Sequence, residues 1–121
     1  MKPTAPILAL AFITALASAD VAMAGAPDYQ GAENALRKEK KIVDLVHQSA
    51  IAEWLIGVKD DGSKRYGYAE YVCGILLEHN AIADGHMVRI VDYFKFVNTN
   101  GDHRAASLGS VVCSTGEHMF P

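Results

Sequence analysis

Two cysteines, Cys73 and Cys113, constrain what this chain can fold into more than any other feature. If they are joined, the middle of the chain is tied to a point near its C-terminal end. Every element between them then has to fit inside that loop. Whether they are joined depends on the compartment, because an isolated pair of thiols oxidises outside the reducing cytosol and stays free within it.

The first residues bear on the compartment. Lys2 supplies a positive charge, and the run from Ile7 to Leu16 carries none. Such a run fits the apolar stretch of a secretory signal and falls short of the about 20 residues a membrane-spanning helix needs. Ala17-Ser18-Ala19 and Ala22-Met23-Ala24 are two small-residue cleavage sites. Cleavage after Ala24 is preferred, since Gly25-Ala26-Pro27 suits a mature N-terminus. The expectation is a cleavable signal over residues 1–24 and one small domain over residues 25–121, exported to a periplasm or secreted, with no membrane insertion after cleavage. Residues 25–31 and 116–121 are expected to be loose. In that setting the Cys73–Cys113 bridge is expected, and closing its loop stabilises the fold by roughly 4 kcal/mol. That is a large share of the about 5–15 kcal/mol typical of a domain. With no Cys-x-x-Cys present, the redox alternative lacks its usual framework.

Charge narrows the partners. The whole chain carries a formal net charge of −3, and the signal holds one residue of each sign, Lys2 and Asp20. A mildly acidic domain is a poor fit to nucleic acid or to anionic membrane surfaces.

The predicted fold is α+β. Helix formers without Gly or Pro run from Ala32, with Asp28 or Gly31 as candidate starts, and helical spacing predicts a helix over residues 32–47. Leu36, Ile42 and Val43 would face inward, and Glu33 and Arg37 would pair one turn apart. A strand is expected around residues 52–58, then a turn at residues 59–65. Tyr66 to Asn80 reads as a second helix, and Met87 to Val97, rich in β-branched and aromatic residues, as a strand. Asn100-Gly101 predicts a tight hairpin, because both residues tolerate positive φ. That register sets Val97 against Arg104, Ile90 against Val111, and Val88 against Cys113. Val88, Ile90, Phe94, Phe96, Val111 and Cys113 then share one face, which the helix bearing Cys73 would cover.

No catalytic signature emerges. The histidines, His47, His79, His86, His103 and His118, are never within four residues of one another, so no helical metal pair exists and no metal or cofactor is expected. Asp60-Asp61-Gly62 and the stretch Asn98–Asp102 lack the glutamate that closes a calcium loop and read as turns. Ser107, Ser110 and Ser114 have no nucleophile-elbow context. Strict alternation points Asp92 toward the core, where it would need Arg89, Arg104 or His103 as partner, or would mark a strand end. Paired with His86 or His103, it is the candidate general acid–base. Trp54, Tyr66, Tyr68 and Tyr71 bracket the 59–65 turn and are the candidate binding residues, with core packing as the alternative. Arg37, Lys38, Lys40 and Lys41 form a basic run, either a solvated face or a docking surface for an acidic partner.

The function expected from these residues is a small exported binding protein, non-enzymatic, acting through a protein–protein surface as an inhibitor, immunity-type protein or envelope accessory factor. The alternatives are a small hydrolase or metal-dependent enzyme built on Asp92 and a histidine, and a structural or oligomer-forming envelope protein.

Overall fold

A computed structural model describes residues 26–82 and 85–119; the expected signal, residues 1–24, lies outside them. Asp28 starts the first helix, α1 (Tyr29–Arg37), by accepting the Gly31 N–H at 2.9 Å. The helix therefore claims residues 29–31, which were expected to be loose. It ends ten residues before the predicted boundary of 47. The chain turns at Lys38–Lys41 and enters strand β1 (Ile42–Gln48). The apolar residues of this stretch satisfy both helical and strand spacing. Pairing with β2 (Glu53–Val58), in which Leu45 faces Ile56 and His47 faces Trp54, decides for the strand. Leu36 is fully buried, Ile42 is half-buried, and Val43 is exposed rather than inward.

Strand β2 falls where it was expected and is buried along its whole length. Helix α2 (Tyr66–Glu78) follows the predicted turn. It stops at Asn80, whose φ of 51° is left-handed. There the Ala81 N–H donates to the Leu76 carbonyl at 2.9 Å and the Asn80 N–H to the Leu77 carbonyl at 3.0 Å. These two bonds satisfy carbonyls that the last helical turn leaves open.

Strand β3 (Met87–Asp92) pairs parallel to β2, so α2 is the crossover between them. The predicted strand over residues 87–97 is cut at Asp92. Its carboxylate accepts the Phe94 and Lys95 N–H groups at 3.1 and 3.3 Å and caps a short helix, α3 (Tyr93–Asn98). A carboxylate in capping position outweighs the strand preference of Tyr93-Phe94-Lys95-Phe96. Asn100 and Gly101 do take positive φ, 56° and 81°. They use it to end α3, with the Gly101 N–H on the Phe96 carbonyl at 2.9 Å, and not to make a two-residue hairpin.

Strand β4 (Ser107–Val112) still pairs antiparallel to β3. Val88 faces Val111 and Ile90 faces Gly109. Relative to the prediction, Ile90 has exchanged Val111 for Gly109. That is a slip of two residues, which keeps Val88, Ile90 and Val111 on their expected face. Strand β5 (Glu117–Met119) pairs with β4 inside the segment expected to fray. The sheet is mixed, in the order β1-β2-β3-β4-β5.

One face of the sheet packs Trp54, Ile56, Val58, Val88, Ile90 and Val111 against Ala32 and Leu36 of α1 and Ala69, Val72 and Leu76 of α2. The Cys73–Cys113 disulfide, with Cα atoms 5.4 Å apart, ties α2 to the residue after β4 on this face. Phe94 and Phe96 do not join it. Phe94 is exposed, and Phe96 packs with Leu55, Val91 and Ala106 on the opposite face.

Candidate functional site

Helix α2 positions two of the four aromatic candidates. Tyr68 and Tyr71, one turn apart, stack with ring centroids 5.7 Å apart. Because α1 packs on α2, the turn that follows α1 lies beside these rings. Lys38, Glu39, Lys40, Lys41, Tyr68 and Tyr71 line one open groove of about 500 Å³. The basic run and the tyrosines, about 30 residues apart in sequence, are thereby one surface.

The contacts inside the groove are specific. The Tyr71 hydroxyl donates to Glu39 Oε2 at 3.1 Å. Lys41 Nζ lies 5.5 Å from the centroid of the Tyr68 ring, within cation–π range. The Tyr68 hydroxyl is buried and finds no hydrogen-bond partner among the described residues. Burial pushes its phenol up to about 12, and the charge of Glu39 adds to the effect. The hydrogen bond to Glu39 raises the Tyr71 phenol as well. Among the described residues, none of Lys38, Lys40 and Lys41 has a carboxylate within ion-pair distance. Arg37, the fourth member of the run, turns away to pair with Glu33 at 3.8 Å and Asp44 at 3.3 Å.

The other two aromatic candidates lie elsewhere. Trp54 is 1% exposed and belongs to the core. It stacks on His47, with centroids 4.3 Å apart, and His47 stacks in turn on Tyr29 at 5.0 Å. His86 meets the edge of His47 at 5.5 Å. Burial, with His86 adding to it, holds the His47 imidazole below its ordinary value. Tyr66 stacks on His118 at 4.4 Å, and His118 Nε2 lies 2.9 Å from Glu70 Oε1. This imidazole–carboxylate pair is exposed on both sides.

The candidate acid–base pair is not assembled. His86 precedes β3 and Asp92 ends it, so the strand holds them about 20 Å apart. The Asp92 carboxylate is engaged in capping α3, and no ion pair joins it to His103 among the described residues. Arg89 pairs instead with Glu53, at 3.4 Å, with both side chains buried. Sequence reasoning passed over Glu53. Its neighbour Trp54 drew attention, and the parallel register that sets Leu55 against Arg89 has no signal in the sequence. No group of three or more metal-ligating side chains occurs among the described residues, and none of their helices is long and apolar enough to cross a membrane.

Compared with protein-family models, with curated proteins and with solved structures, the chain matches none.

Proposed function

We propose that this chain is a small exported binding protein that engages another protein through the groove between the Lys38–Lys41 turn and the Tyr68–Tyr71 face of α2. The observation that carries the reading is the convergence there of three lysines without acidic partners among the described residues and two stacked tyrosines. Aromatic side chains with a polar tip supply contact area at low entropic cost, and unneutralised charge steers association. The disulfide and the core under α1 and α2 hold this surface in place, with Tyr68 packed against that core. Export supplies the oxidising conditions the bridge needs.

Affinity capture from the protein's own envelope tests the reading, with wild type run beside Tyr71→Ala and a Lys40→Glu, Lys41→Glu double variant. All three substituted residues are exposed, so folding is expected to survive, and circular dichroism checks it. A discrete protein retained by wild type and lost, by tenfold or more, from both variants supports the groove. A partner captured equally by all three places the interface elsewhere.

A further inference from the structure

We infer that the groove takes a carboxylate of an acidic peptide segment, and that Glu39 holds the place of that carboxylate in the free protein. The inference rests on the groove being the partner surface. Glu39 is the one acidic residue of the groove lining. Three ammonium groups surround it in sequence, yet its carboxylate is bonded to the Tyr71 hydroxyl and pairs with none of them. The groove therefore presents a carboxylate-accepting phenol already occupied by the chain's own carboxylate. It also holds a surplus of positive charge that the fold does not neutralise, in a protein whose net charge is −3. An incoming carboxylate is drawn by the lysines and takes the Tyr71 donor, and Glu39 swings out toward solvent. No covalent step is involved.

The ligand class follows from the charge of the groove. The Tyr68 ring already contacts Tyr71 and Lys41, which leaves the exposed Tyr71 ring as the open aromatic surface, and a sugar stacking there is one of the outcomes tested below. Extended polyanions meet an acidic protein beyond the few groove residues. A short peptide segment with one or two carboxylates fits the local charge without meeting the rest.

The test is titration of the folded, disulfide-bonded protein with a Glu-Gly repeat peptide, followed by backbone amide shifts in NMR. A Gln-Gly repeat of equal length, an oligogalacturonate and inorganic phosphate are the comparison probes. Saturable shifts at residues 38–41 and Tyr71 are expected with the Glu peptide and not with the Gln peptide. Glu39→Gln removes the competing charge and tightens the Glu peptide about fivefold. The same variant removes the carboxylate charge beside the Tyr71 phenol while leaving an amide oxygen that can accept from it, and so lowers the Tyr71 midpoint in a spectrophotometric titration, with Tyr71→Phe identifying which phenol moves. The inference is overturned if Glu39→Gln leaves affinity unchanged or weaker, if the Gln peptide binds equally, or if galacturonate or phosphate binds more tightly than the peptide. If a captured partner depends on Tyr71 but is indifferent to Glu39→Gln, the groove stands as the interface and only the role given to Glu39 fails.

Discussion

At the scale of single residues, a stack of rings runs from the buried Trp54 through the half-buried His47 to the exposed Tyr29. The edge of His86 closes against this stack. His47 Nε2 and Trp54 Nε1 are buried without partners among the described residues. Burial and the neighbouring His86 lower the His47 pKa, so the native state takes up its proton less readily than the unfolded chain does. Between the ordinary value of 6.5 and the lowered native value, the unfolded state binds more protons, and stability rises with pH. The expected outcome is a melting temperature that falls as pH drops below about 6.5. His47→Phe keeps a ring between Tyr29 and Trp54 and cannot be protonated, so its melting temperature should fall less over the same range. Scanning calorimetry of both proteins at pH 8 and pH 5 checks this, and equal slopes would assign the acid sensitivity to another group.

At the scale of elements, two competitions between local preference and context shaped the fold. Residues 42–47 read as helix by spacing and are strand, because β2 offers a partner that the local pattern does not reveal. Residues 93–97 read as strand by composition and are helix, because Asp92 caps them. Asp92→Ala should therefore cost about 1 kcal/mol and loosen α3. Equilibrium unfolding in urea gives the loss, and hydrogen exchange at residues 94–98 localises it. Retained protection there would mean that packing of Phe96, and not the cap, holds the helix.

Other features were legible because their cause is local. The Asp28 cap, the extent of α2, its stop at Asn80 and the positive φ of Asn100 and Gly101 all follow from backbone chemistry within a few residues. The parallel partnership of β2 and β3, the Glu53–Arg89 pair and the meeting of the Lys38–Lys41 turn with Tyr68 and Tyr71 were not legible. Each depends on residues about 30 or more apart in sequence. The two halves of the groove were visible separately, as a basic run and an aromatic cluster, and only the packing of α1 on α2 joins them. The edge of the sheet at β1 is covered by side chains close in sequence. The Leu45 N–H is taken by the Asp44 carboxylate at 2.8 Å, and Arg37 reaches the Leu45 carbonyl at 3.5 Å. That leaves less of the backbone open to edge-to-edge pairing.

At the scale of the whole molecule, the proposed function divides stability from recognition. The disulfide adds roughly 4 kcal/mol to a fold whose main core lies between one sheet face and two helices. The surface proposed for recognition lies at the margin of that core, on an exposed turn and one helix face, with Tyr68 packed against the core and Tyr71 and the three lysines exposed. The most direct test of this division is site-specific photo-crosslinking in living cells. A photoreactive phenylalanine analogue is placed at position 38, an exposed site in the groove lining, and in a second strain at position 102, an exposed loop site after α3. The account predicts a discrete crosslinked protein at position 38, reduced several-fold by Lys40→Glu with Lys41→Glu, and none of that species at position 102. The same species at both positions, or none at position 38 in cells that express the folded protein, would contradict it.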